Sequence, residues 1–144
     1  MTPRELIDDL EQALAELPRF DVHTHLVGGR LGARGLHDIL LYHMVVSDLY
    51  AAGCPSGSRL TQYPDWPEPA EAHRRIEEAL PYLPLIRNTS CAWMLRMILR
   101  DLYQWDEPIT ADNWRRLDAM IRGRADDRAW HHSIFDRLHI RRTC

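Results

Sequence analysis

The sequence predicts an α/β fold dominated by helices, with one short strand near residues 20–26 and a second beginning near 140–144. Three observations predict it. In Phe20-Asp21-Val22-His23-Thr24-His25-Leu26, apolar residues and threonine alternate with Asp21, His23 and His25, the two-residue period of a strand. Residues 27 to 139 carry helical spacings and loop punctuation with no second alternating run. Ile140-Arg141-Arg142-Thr143-Cys144 then opens another extended stretch. A lone strand leaves its backbone groups unpaired, and strands joined by a long helical connection pair in parallel. The expected unit is a strand, a large helical crossover and a parallel second strand, which is the opening of a larger α/β protein. The chain is accordingly read as truncated, a single incomplete domain. Its parts are a leading helix and first strand (1–26), a helical crossover (27–139) and the start of the second strand (140–144).

Each element has a local reason. Thr2-Pro3-Arg4-Glu5 has the form of a capping box with proline at the first helical position. Leu6, Ile7, Leu10, Leu14 and Leu17 continue it as a helical stripe that Pro18 ends. Residues 36 to 52 read as one helix with Leu36, Ile39, Leu40, Met44 and Leu49 on its apolar face, stopped by Gly53 and Cys54-Pro55. Residues 54 to 69 hold five prolines and glycines and read as loop. Helical patterns resume at about 70–80, 90–104, 111–122 and 126–138, with Thr110 expected to cap the third of these.

Composition narrows the class. Apolar residues at 45% and charged residues at 27% are globular proportions, and a net charge of −3 offers no attraction to nucleic acid or an anionic membrane. All 18 basic residues are arginine, which rules out a lysine Schiff base or a carboxylated-lysine metal bridge within the chain. Cys54, Cys91 and Cys144 are odd in number and widely spaced, the pattern of a reduced cytosolic protein. Acidic residues interrupt the N-terminal apolar run, so it is not a secretory signal, and no apolar run approaches the roughly 20 residues needed to span a bilayer. A cytoplasmic location is expected.

The chemistry-bearing residues cluster after the first strand. Histidines at i and i+2 on a strand aim the same way, so His23 and His25 can converge on one ion. Neutral imidazole suits zinc and similar divalent ions. Catalytic zinc usually has three protein ligands and an open position, so the rest of such a site comes from elsewhere. A loop with Gly28, Gly29, Gly32 and Gly35 follows directly. In β/α barrels, active sites gather at the C-terminal ends of strands and in the loops beyond. His131 and His132 are adjacent on a helix and point about 100° apart, so they are surface residues by default. The tryptophans at 66, 93, 105, 114 and 130 are expected to pack the helical insert. Cys54 and Cys91 lack a charged activating neighbourhood.

Asp21-Val22-His23-Thr24-His25-Leu26 matches the D-x-H-x-H-L segment that ends the first barrel strand of one known group. On it and the segments below, the chain resembles the N-terminal part of the amidohydrolase superfamily, and within it the uronate (glucuronate) isomerase family. Leu40-Leu41-Tyr42-His43-Met44, then Ala52-Gly53, stand where that family carries D-H-Y and a downstream glycine, with only His43 retained. Asn88 and Trp93 recur at the spacing of its N-P-L-Y-x-W element, with Thr89-Ser90 in place of proline-leucine. Ile140 to Cys144 stand where its second strand leads towards T-T-D-x-P.

The resemblance implies the N-terminal portion of a metal-dependent (β/α)8 (TIM) barrel. It implies His23 and His25 as metal ligands, zinc first and manganese as the alternative, completed by an aspartate after the last strand. Asp21 would orient an imidazole from behind, or else be a buried acid satisfied by backbone donors. His43 would contact substrate or shuttle a proton, or else pack on a helix face beside Met44 and Ile39. Arg30 and Arg34 could meet a sugar-acid carboxylate through a charge-assisted fork, although solvated loop arginines are commoner. The implied activity is aldose–ketose isomerisation of a hexuronate or related sugar acid, absent from the 144-residue chain alone. The expected partner is that small molecule, without nucleic acid or membrane, and a homo-oligomer is admitted. The departures at Tyr42 and Met44 keep open a hydrolase of the same superfamily acting on an amide or lactone. A non-enzymatic helical fragment is the third alternative.

Overall fold

The computed structural model describes residues 1–23, 32–54 and 69–143. They form a mixed α/β structure, mostly helical, with two strands paired in parallel. Two compact units divide it: Met1–Leu31 with Asp127–Cys144, and Gly32–Asp126.

The first unit holds helix α1 (Pro3–Glu16), strand β1 (Arg19–Asp21), helix α7 (Arg128–Arg137) and strand β2 (Ile140–Thr143). The capping box forms as its residues predict: the Thr2 hydroxyl accepts from the Glu5 backbone N–H at 3.2 Å, and the Glu5 carboxylate accepts from the Thr2 N–H at 2.7 Å. Asp127 caps α7 by accepting from the Trp130 N–H. The turn after α7 needs His139 in the left-handed region, at φ 51°. Arg19 then joins the pieces. Its backbone N–H donates to the His139 carbonyl at 2.8 Å and its guanidinium to the Leu138 carbonyl at 2.8 Å, with longer reaches to Leu14 and Ala15 at the end of α1. A cation over the last carbonyls of α1 also complements that helix's dipole.

The strands pair Arg19 with Ile140, Phe20 with Arg142 and Asp21 with Thr143, with an irregularity between Arg19 and Phe20. The parallel pairing agrees with the expectation from the helical crossover. The strand itself is shorter than expected. It ends at Asp21, Val22 and His23 are not extended in a ladder, and Thr24 to Leu26 lie outside the described residues. Past Asp21 the His23 backbone N–H donates to the Asp21 carboxylate at 3.2 Å, a local hydrogen bond that competes with a ladder one. The apolar stripe of α1 is not covered: Leu6, Ile7, Leu10, Leu14 and Leu17 are 42–60% exposed.

The second unit holds α2 (Leu36–Leu40), α3 (His43–Ala51), α4 (Pro69–Ala79), a 3₁₀ segment (Leu80–Ile86), α5 (Ser90–Tyr103) and α6 (Trp114–Arg122). The single helix expected over 36–52 is two helices, broken at Leu41-Tyr42. Leu36, Leu41 and Val46 are all fully buried. Five-residue steps advance about 140° around a helix, so no straight helix buries all three on one stripe, and the break re-aims the second half. Gly53 at φ 95° then ends α3, as the glycine predicts. Trp114, Leu117 and Ile121 on α6 and Ile76 on α4 complete the buried core.

The cap of α6 also differs from expectation. Asn113, not Thr110, is the N-cap residue; its side-chain oxygen accepts from the Thr110 N–H at 2.8 Å, and the Thr110 carbonyl accepts from Trp114. Thr89 caps α5 through the Ala92 N–H. Of the tryptophans, 105 and 114 are buried, whereas Trp93 is 62% exposed on the outer face of α5 and does not pack the insert. Trp66 lies outside the described residues. No helix of the described residues is long and apolar enough to cross a membrane.

Candidate functional site

The end of β1 is the first site. Asp21 is half-buried and His23, two residues beyond the strand, is exposed. The Asp21 carboxylate is brought to the His23 backbone by the hydrogen bond described above. His25 and Arg30 lie outside the described residues. Among the described residues no group of three or more His, Cys, Asp or Glu side chains stands close enough to hold a metal ion.

His43 belongs to the second unit, where it is the first residue of α3 and exposed. Its ring lies 4.2 Å from that of Tyr42 at a 49° tilt, and its carbonyl accepts from the Ser47 hydroxyl. It does not pack into the helix face beside Met44, which is itself exposed.

Arg34 is not a solvated loop arginine. It holds Asp38 through its backbone N–H at 2.7 Å, its Nε at 3.0 Å and a terminal nitrogen at 2.8 Å, a forked geometry with one carboxylate. His37 Nε2 lies 3.3 Å from the same carboxylate. Burial alone would raise the Asp38 carboxyl; the hydrogen bonds from Arg34 and the neighbouring charges outweigh it and hold the group below its ordinary value. Burial pushes the His37 imidazole down, and Asp38 only partly opposes it. The Tyr103 phenol is pushed up to about 12 by burial and by the Asp38 charge.

A second carboxylate, unforeseen from the sequence, completes this cluster. Asp118 on α6 is buried, and its Oδ1 accepts from the Leu36 backbone N–H at 2.8 Å. Its Oδ2 meets Arg122 Nε at 2.6 Å, one helical turn on, and His73 Nε2 of α4 at 3.0 Å. The His73 ring stands edge-on to Trp114 at 5.1 Å. The residue before helix α2 is Gly35, which has no side chain to cap it, so the carboxylate of another helix takes that role. Gly35 is required there for space: a Cβ at that position would lie 2.7 Å from Asp118 Oδ1 and 3.1 Å from His37 Nδ1. Burial would raise the Asp118 carboxyl, but Arg122, the Leu36 N–H and His73 together lower it. A carboxylate neutralised by arginine and saturated with donors is a fixed ion pair, not a proton donor. This network locks α2 to α4 and α6. The only sequence signal was the i, i+4 spacing of Asp118 and Arg122.

Among the described residues neither cysteine is exposed. Cys54 and Cys91 are free and buried, and burial, with Asp48 nearby, raises the Cys91 thiol. No family model matches the chain, and no curated protein sequence matches it.

Proposed function

We propose that the chain supplies the first strand, the helical crossover and the second strand of a metal-dependent (β/α)8 barrel of the amidohydrolase type, and that the full enzyme isomerises a hexuronate between its aldose and ketose forms. One observation carries the reading: β1 and β2 pair in parallel across a helical crossover, and His23 follows the C-terminal end of β1. In parallel α/β folds, ligands bind at the carboxyl ends of the strands.

The donor chemistry fits. Two imidazoles, His23 and His25, are neutral borderline ligands suited to zinc or manganese, and further ligands would come from elsewhere in the barrel. When bound, the ion supplies electrophilic stabilisation of charge on the sugar's oxygens. Asp21 accepts a hydrogen bond from the His23 backbone N–H, which would steady the segment that carries the imidazole. His43, exposed at the start of α3, would hold a sugar hydroxyl or carry a proton. Arg34 is committed to Asp38, so Arg30 is the better candidate of the two for the substrate carboxylate.

The test uses protein that includes the whole barrel, dialysed against zinc or manganese. Proton NMR should show glucuronate or galacturonate converting to its keto form, and His23→Ala with His25→Ala should abolish both turnover and bound metal without loss of helical circular dichroism. Unchanged metal content in the double variant would overturn the ligand assignment. Hydrolysis of amides or lactones without uronate turnover would move the reading to a hydrolase.

A further inference from the structure

The second unit contains a cavity of about 380 Å³ that the metal reading does not use. It lies between the 3₁₀ segment, α5 and the segment 105–109 that follows α5. Gln104, at φ 55°, turns the chain after α5, and the Trp105 N–H donates back to the Leu99 carbonyl at 3.1 Å. Leu83, Leu95, Leu99, Trp105, Pro108 and Ile109 give it an apolar wall. The volume falls within the range of about 300–1,000 Å³ usual for small-molecule sites.

The charged lining is asymmetric. Arg87 and Arg96 both line the cavity, and neither forms an ion pair among the described residues. Glu107, also in the lining, is engaged by Arg116 and by the Asn113 amide. Arg116 in turn covers the Trp105 ring, 4.6 Å from its centre. Asp106 is the remaining acid of the lining and also feels the charge of Arg100, so the two guanidinium groups outnumber the acid left to oppose them. Trp105 adds a buried indole N–H with no acceptor among the described residues. Buried donors normally find an acceptor.

We propose that this cavity binds a small carboxylate with an apolar body, an aryl- or alkyl-alkanoate, whose chain enters the apolar wall and whose carboxylate meets Arg87 and Arg96. The guanidinium fork matches a carboxylate, and the apolar wall rejects a polyhydroxylated sugar acid. The site is therefore separate from the one proposed for uronate, and its test is independent of the metal.

Isothermal titration calorimetry of the 144-residue chain, near neutral pH and at low salt, compares 4-phenylbutyrate, 4-phenyl-1-butanol and 4-phenylbutylamine. The carboxylate should bind saturably and about tenfold more tightly than the alcohol, with the amine weakest. Arg87→Gln with Arg96→Gln should bring the carboxylate to the level of the alcohol and leave the alcohol unchanged. Both arginines are exposed, so this variant keeps the fold, which circular dichroism verifies. Leu83→Asp, which puts a negative charge on the wall, should abolish carboxylate binding. No saturable heat with any probe, equal affinity for carboxylate and amine, or an unchanged affinity in the double arginine variant would each overturn the proposal.

Discussion

Replacing Asp118 with alanine tests the buried lock of the second unit. The substitution removes the acceptor from three donors: the Leu36 N–H, Arg122 Nε and His73 Nε2. Leu36 is fully buried, so its N–H loses its acceptor out of reach of water, and an unsatisfied buried donor costs about 1–3 kcal/mol. Arg122 and His73 keep about a third of their side chains in water, so they regain part of their solvation and add about 1 kcal/mol together. The expected loss is about 3 kcal/mol, at the low end of the 3–5 kcal/mol for breaking a buried pair. At about 3 °C per kcal/mol for a chain of this size, the thermal midpoint falls by about 10 °C. Asp118→Asn keeps an acceptor for Leu36 but sets an amide against Arg122, and should lose roughly 2 kcal/mol. The folded carboxyl titrates below the unfolded one, so its contribution is present above about pH 4 and disappears as pH falls through the lower, folded value. Urea unfolding followed by tryptophan fluorescence, run between pH 7 and pH 3, measures both effects. A loss under 0.5 kcal/mol at pH 7, or a difference between wild type and Asp118→Ala that widens on acidification, would refute the reasoning.

Two further outcomes come from the same cluster. Gly35→Ala should destabilise the second unit by about 1–3 kcal/mol, because the new Cβ meets a carboxylate that three hydrogen bonds hold still; the same urea titration reads it. His37 has its folded pKa lowered by burial, so below about pH 6.5 the unfolded chain takes up that proton first and stability falls with pH. His37→Gln should flatten the stability profile between pH 6.5 and pH 5, and thermal midpoints across that range would show whether it does.

Much of the local structure was legible because its causes are local. The Thr2 capping box, the Pro18 stop and the Gly53 terminus each depend on residues within one helical turn, and each stands as its residues imply. The break at Leu41-Tyr42 was not legible. No proline or glycine marks it; it arises because burying Leu36, Leu41 and Val46 together outweighs the continuity of one helix. Arg34 shows the same limit at the site. From the sequence it stood in a glycine loop as a candidate for a ligand's carboxylate, and its forked partner proved to be Asp38, four residues on. Asp118 offered no more than a helical salt-bridge spacing, since its main partners, Leu36 and His73, are 82 and 45 residues away.

The sequence by itself determined the alternation of a strand around Phe20, the helical crossover, the parallel second strand and the i, i+2 spacing of His23 and His25 on which the metal proposal rests. These rest on periodicity, on proline and glycine, and on the valence of imidazole, all properties of short stretches of chain. Tertiary structure alone decided that Gly35 is a space-making residue, that α2 is capped by a carboxylate from α6, and that Arg87 and Arg96 share one apolar cavity. The first two relations join residues far apart in the chain, and only packing brings them within the few ångströms at which sterics and hydrogen bonds act; the third depends on how α5 and the segment after it fold back on the 3₁₀ segment.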